Sequence, residues 1–188
     1  MNAEIVAKRA LLCRTVLAFV LIALAAAVRI APHPWNFTPI GAMALFSGAV
    51  LKDGRLAFAF PLLALFAGDL FTGLYQFQLM LVVYASFAVN VSIGFWLRDR
   101  RTIARTGGVV LAGAVQFFLV TNFAVWFFSR TYEHNLPGLV MCYLGGIPFF
   151  WNTLAGDTVY ATLLFGGFAL AERLFPLLRA ELVREPAS

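Results

Sequence analysis

The chain has 188 residues, of which 62% are hydrophobic and only 12% charged, and its mean hydropathy is +0.86. A soluble domain of this size has too little polar surface to cover so much apolar side chain, which excludes a water-soluble globule. The formal net charge of +5 does not indicate nucleic-acid binding, because the basic residues flank apolar runs instead of clustering on one polar face.

What remains is an all-α membrane protein forming a single domain over residues 1–188. A membrane barrel is excluded by pattern. Its strands would alternate over about ten residues, whereas the apolar runs here are long and unalternating. Lys8 and Arg9 precede the first run as in a signal peptide, but no small-x-small cleavage site precedes a polar mature domain. The run therefore reads as a retained first helix, over about residues 11–30.

Span 2, about 39–51, is short and rich in Gly, Ala and Ser, which suits close packing against other helices. Lys52-Asp53-Gly54-Arg55 reads as a tight polar turn. Span 3 covers about 56–75, with Pro61 as a kink point. Span 4 covers about 79–97 and ends at Arg98-Asp99-Arg100-Arg101, and span 5 covers about 107–128. Residues 136–148 are apolar but interrupted by Pro137, Gly138, Gly145, Gly146 and Pro148. That stretch is too short to cross about 30 Å as a helix, so it reads as a re-entrant capping segment. Span 6 covers about 149–175.

If all six spans cross, 12 of the 14 basic residues fall on one side, leaving Arg29 and Arg130 on the other. The positive-inside rule makes the rich side cytoplasmic, so six transmembrane helices with both termini cytoplasmic are expected.

Between spans 1 and 2, Pro32-His33-Pro34-Trp35-Asn36-Phe37-Thr38-Pro39 places three prolines in eight residues. Regular helix is forbidden there, leaving a rigid turn or part of a binding site. Asp69 and Asp157 are the carboxylates well inside apolar runs. Each costs about 2.5–3.5 kcal/mol on insertion scales, so each should face a protein interior or a wet cavity. On this topology both lie in the outer halves of their helices, at the depth of Arg29, Asn122 and Asn152, under a loop carrying His33, Trp35 and Asn36.

One reading is a solute pocket open to the exterior. The competing structural reading is an ion pair with Arg29 or a helix cap, since aspartate bonds free backbone amides readily. The tryptophans also suit an aromatic belt. Cys13 and Cys142 fall on opposite faces and cannot pair. Cys142 is either a small buried apolar residue or a soft ligand for a metal-centred molecule. No Walker A motif, GxSxG elbow or closed metal-site spacing is present. Ala23-xxx-Ala27 is a small-xxx-small pair that lets another helix approach.

The proline-rich segment through Ile40, Ala67-Gly68-Asp69, Thr121-Asn122-Phe123-Ala124-Val125-Trp126, and Cys142-Tyr143-x-x-Gly146-Ile147-Pro148-Phe149-Phe150-x-Asn152-Thr153-Leu154-Ala155-Gly156-Asp157 together resemble a family of small bacterial membrane proteins known only as transport-type proteins. The resemblance covers about residues 11–175. That family is similar in architecture to the substrate-binding S-components of energy-coupling-factor vitamin transporters. The resemblance implies six membrane helices in the bacterial cytoplasmic membrane and an outward-facing, loop-covered pocket for a vitamin-like solute.

It also implies partners, namely a transmembrane coupling protein and two ATPases docked through small residues of the first helix, for which Ala23 and Ala27 are candidates. That pair, however, lies toward the outer end of span 1, whereas a coupling surface belongs nearer the cytoplasm. Solitary cobalamin S-components contact cobalt through a cysteine, so the resemblance further implies cobalamin as substrate and Cys142 or His33 as cobalt ligand.

No intrinsic cofactor and no catalysis is expected. The substrate-binding set is Arg29, His33, Trp35, Asn36, Asp69, Asn122, Cys142, Asn152 and Asp157. Two other functions remain open: a small membrane enzyme using Asp69, Asp157 and His33 as acid and base, and a non-catalytic membrane scaffold.

Overall fold

The computed structural model describes residues 3–28 and 34–179. Those residues form six α-helices and no strand: α1 (Ala3–Val28), α2 (Ile40–Val50), α3 (Gly54–Thr72), α4 (Phe77–Gly94), α5 (Ile103–Phe128) and α6 (Leu136–Leu174), with single 3-10 turns at Phe95–Leu97 and Pro176–Leu178. Five of the helices are long and apolar enough to cross a membrane, whereas α2 is not. Large apolar side chains stand exposed around the bundle, among them Leu12, Leu24, Leu63, Phe71, Leu119 and Leu163. Water would penalise such a surface and hydrocarbon would not, which marks an integral membrane protein.

α2 lies at the centre. All 11 of its residues are buried, and each of the other five helices packs on it. Phe46 meets Phe165 and Phe168 of α6 edge-on, at 5.2 and 5.6 Å between ring centroids. Against α4 the approach is backbone to backbone. A Cβ on Gly48 would collide with the Val91 carbonyl, and one on Gly94 with the Leu45 carbonyl. The Gly/Ala/Ser content of span 2 thus serves close helix contact.

A helix buried along its whole length must find partners for its end groups inside the protein. At the C-terminal end of α2, Arg98 Nε donates to the Gly48 carbonyl at 2.9 Å and Nη2 donates to the Leu51 carbonyl at 2.8 Å. The guanidinium also lies 4.1 Å from the Phe95 ring centroid. A cation at this end complements the helix dipole.

The same end of the bundle carries an ionic cluster. Arg14 of α1 pairs with Glu172 of α6, and Arg101 reaches Glu172 at 3.1 Å. Both guanidinium carbons lie over the Phe168 ring, at 5.1 and 5.5 Å. The first half of α1, the turn before α3, the α4–α5 connection and the last turns of α6 therefore share one end. The Pro34–Pro39 strap, the α3–α4 turn and the α5–α6 loop lie at the other.

Two expectations change. α1 begins at Ala3, about two turns before the predicted apolar run. Residues 136–148 are not a separate re-entrant cap, because α6 runs unbroken for 39 residues through Pro148. The supposed breakers have other tasks. Asn135 caps the helix by accepting from Gly138 N–H at 2.8 Å, and Pro137 sits in the first turn, where its missing N–H costs nothing. Gly146 lets Asn122 of α5 approach, and Gly145 lies under the Tyr132 hydroxyl.

Gly48→Ala should destabilise the protein by about 1–3 kcal/mol through overpacking at α4, read as a lowered midpoint of thermal unfolding in detergent. Gly108→Ala, which meets open space, should be neutral or slightly stabilising.

Candidate functional site

Helical spacing in α6 builds the site. Asn152, Gly156 and Tyr160 recur every four residues and share a face. Asn152 Nδ2 donates to the Trp35 carbonyl at 2.9 Å. Gly156 gives room to Phe37 and Thr38, which a Cβ would meet at 3.1–3.3 Å, and the Tyr160 and Phe37 rings lie 5.9 Å apart. This face binds the Pro34–Pro39 strap to the bundle. The strap starts with a turn in which Phe37 N–H donates to the Pro34 carbonyl at 3.0 Å. Asn36, the third residue of the turn, takes φ 62°, a left-handed conformation that asparagine tolerates.

Beside that face, Thr153 and Asp157 line a cavity of about 330 Å³. α3 supplies Leu65, Asp69 and Thr72, at helical spacing along one face. α4 and α5 supply Phe87 and Phe117, stacked at 4.9 Å. The strap and the start of α2 close the remaining side, with Trp35 at the rim, 81% exposed although it lines the cavity.

The two carboxylates are 1% and 2% exposed, Asp69 and Asp157 respectively. Asp69 Oδ2 accepts from the Tyr84 hydroxyl at 2.8 Å. Asp157 is divided between two environments. Its Oδ1 accepts from Ala42 N–H at 2.9 Å and so caps α2, whose own N-cap residue Pro39 offers no side-chain bond. The carboxylate also gains from the positive end of the α2 dipole. Its Oδ2 is buried with no hydrogen-bond partner, at a cost of about 1–3 kcal/mol for an unpaired buried group. Gly41 permits the arrangement, because a Cβ there would strike the carboxylate.

The acids expected to meet from spans 3 and 6 do line one cavity, together with Trp35 and Asn36. Asn152 braces the strap instead of lining the space. Asn122 and Cys142 do not belong to it. Asn122 Nδ2 donates to the Phe118 carbonyl at 2.8 Å, and the Cys142 thiol donates to the Asn122 carbonyl at 3.3 Å. Because residues 136–148 continue α6, they pair with the end of α5 and do not fold over the cavity. Arg29 and His33 lie outside the described residues. Ala23 and Ala27 are exposed on α1. Among the described residues no three His, Cys, Asp or Glu side chains come together as a metal site.

Sequence reasoning missed Tyr84, Gly41 and the α2 amide. Tyr84 had a signal, as a polar-tipped side chain midway along span 4. Gly41 had one too, as a glycine in the first turn of a short apolar helix.

A larger cleft of about 720 Å³ opens between the start of α5 and the second half of α6. Its buried and half-buried charges are engaged, Arg101 with Glu172 and Arg98 with α2 carbonyls, and Asp99 lines it as an exposed residue. Among the described residues the orphaned buried side-chain atoms are Ser86 Oγ and Asp157 Oδ2, and neither lines that cleft. The polar recognition capacity lies at the Asp157 end.

Together these features define an all-helical integral membrane protein with buried acids around a small cavity at one end of the bundle. The chain belongs to the family described as a family of unknown function, DUF6580, which matches residues 9–178. No curated protein and no solved structure matches it.

Asp157→Ala should leave Ala42 N–H buried and unpaired, lowering stability by about 1–3 kcal/mol. Asp157→Asn, which retains an acceptor for that amide, should stay within about 1 kcal/mol of the parent. Thermal unfolding in detergent separates the two.

Proposed function

We propose that this protein captures a small solute for transport across the membrane, and that the cavity under the Pro34–Pro39 strap is its binding site. The observation that carries the reading is Asp157, a buried acid that lines the cavity and keeps one carboxylate oxygen, Oδ2, without a hydrogen-bond partner. A side chain that served only to cap α2 would need one oxygen, and a serine or asparagine would supply it more cheaply.

In this reading all six helices cross the bilayer, with α2 and the strap together making the second crossing. The end that gathers Arg14, Lys52, Arg98 and Arg101 faces the cytoplasm under the positive-inside rule, so both termini are cytoplasmic. The cavity then opens to the exterior, the arrangement of an S-component. Docking to a coupling protein with ATPases through α1 is part of the same proposal, and the exposure of Ala23 and Ala27 is compatible with it.

The solute is compact. A volume of about 330 Å³ falls at the low end of small-molecule sites. Cys142 does not line the space. Both facts favour a small micronutrient over cobalamin.

Calorimetry on protein in lipid nanodiscs, against a panel of water-soluble micronutrients, tests the proposal. One compound should bind with a micromolar or lower Kd. Asp157→Asn should weaken it at least tenfold, about 1.4 kcal/mol, while Cys142→Ala binds as the parent does. Failure of the whole panel, or binding indifferent to Asp157→Asn, overturns it. Conversion of the bound compound into product would favour the enzyme reading.

A further inference from the structure

We infer that the cleft between α5 and α6 holds one membrane phospholipid with an anionic head group, its phosphate at the arginine-rich α4–α5 connection and an acyl chain along the groove. This site stands apart from the solute cavity, toward the opposite end of the bundle.

The cleft is amphipathic along its length. Its charged residues, Arg98, Asp99, Arg101 and Glu172, all belong to one end, and the rest of its lining is apolar or neutral. The threonines there do not call for a polar guest. Thr158 Oγ1 donates to the Leu154 carbonyl at 2.7 Å, and Thr162 Oγ1 to the Thr158 carbonyl at 2.8 Å. Hydroxyls bonded back along their own helix are satisfied without a ligand. Thr162, Gly166 and Ala169 of α6 are exposed, as are Ile103 and Gly107 of α5, so the cleft opens sideways, where a membrane protein meets lipid.

Its dimensions favour a hydrocarbon chain over a helix. From Glu172 to Leu154, both in the lining, α6 rises about 27 Å, more than one leaflet of a hydrocarbon core of about 30 Å. A volume of about 720 Å³ over that length gives a mean cross-section of about 27 Å². That is too narrow to admit a helix of about 10–12 Å diameter and wide enough for an extended acyl chain. Two lining glycines mark the same space. A Cβ on Gly107 or Gly166 meets nothing within 4 Å, so neither is placed for a neighbour within the fold, although each costs its helix about 1 kcal/mol relative to alanine.

The charged end suits a phosphate. Residues 98–105 hold four arginines against one acid, Asp99, and they join two membrane-length helices, which places them at the bilayer surface. Arg100 and Arg105 are exposed. Arg98 commits Nε and Nη2 to α2 carbonyls, and Arg101 commits Nη2 to Glu172. A guanidinium carries five N–H donors, so each keeps donors for a phosphate oxygen. Glu172 is itself neutralised by Arg14 and Arg101. Trp96, 81% exposed beside this connection, suits the head-group level. Basic pockets between membrane helices recognise anionic head groups in this way.

Native mass spectrometry of the full chain in detergent, with lipids added one at a time, tests the inference. The probes are phosphatidylglycerol and phosphatidylcholine with identical acyl chains, and glycerophosphoglycerol, the head group without chains. One phosphatidylglycerol should be retained at least tenfold more tightly than phosphatidylcholine, and glycerophosphoglycerol should not be retained. Bound phosphatidylglycerol should also raise the midpoint of thermal unfolding. Gly166→Leu, which fills the groove from a position facing open space, should cut that retention at least tenfold while the lipid-free protein unfolds no earlier than the parent. Arg100→Gln combined with Arg105→Gln should narrow the preference over phosphatidylcholine at least threefold.

Equal retention of the two lipids, several weakly held copies of both, or equal binding of glycerophosphoglycerol overturns the inference. So does a folded Gly166→Leu protein that holds phosphatidylglycerol as the parent does. A dimer that Gly166→Leu dissociates overturns it in favour of a second copy of this chain. The ranking of the three probes on the parent protein decides even where a variant fails to fold.

Discussion

Everything at the strap end of this protein depends on how a short helix is terminated inside a bundle. α2 is buried along its whole length, and its N-cap residue Pro39 offers its first turn no side-chain bond. The caps come from other helices and carry opposite charges. Asp157 of α6 accepts from Ala42 N–H at the positive end of the helix, and Arg98, beyond α4, donates to the Gly48 and Leu51 carbonyls at the negative end. Each charge is placed where the dipole favours it. The two residues tie α2 to α6 at one end and to the α4–α5 connection at the other, fixing where α2 sits along the bundle axis.

The two ends then differ in what their charges have left over. At the Arg98 end the charges that reach into the bundle are met within the protein: Glu172 serves Arg14 and Arg101, and Arg14, Arg98 and Arg101 also lie on aromatic faces. At the Asp157 end one oxygen holds the helix and the other has no partner. A buried ion pair is weak evidence for anything but structure, whereas a buried acceptor without a partner, on a residue that lines a cavity, is a feature that folding alone opposes. That asymmetry is why the proposed binding site is the space under the strap and not the larger cleft beside α5.

The sequence made some of this legible through cost. Asp69 and Asp157 stand out because carboxylates are expensive in apolar runs, and both line the cavity. The strap is readable from its prolines, and Asn36 is a residue suited to its left-handed turn position. The helix count is readable from hydropathy. What misled was punctuation. Pro137, Gly145, Gly146 and Pro148 look like breaks along the chain, but the first is in the opening turn of α6 and the glycines are contact points against α5 and the loop before α6. A glycine placed for a neighbouring helix and a glycine placed for a turn are the same letter. For this reason Cys142 reads as part of a cap, and Asn122 reads as part of the site by its depth in span 5, although both belong to the α5–α6 seam. The partner of Tyr84 and the role of the α2 amide are not legible because they exist only between helices.

The length of α2 also accounts for the existence of the cavity. Eleven residues rise about 16 Å as an α-helix, roughly half of a hydrocarbon core of about 30 Å. A full-length helix at the same central position would extend through the volume that the strap and the cavity now occupy, and its backbone would be satisfied along its whole length. Stopping at Pro39 leaves both a space and a set of unsatisfied amides at its floor. Asp157 answers the amides, Gly41 admits its carboxylate, and the strap roofs what is left. An acid positioned to cap a truncated helix is thereby also positioned to meet whatever enters above it, so the truncation, the cap and the candidate receptor oxygen are consequences of one structural choice.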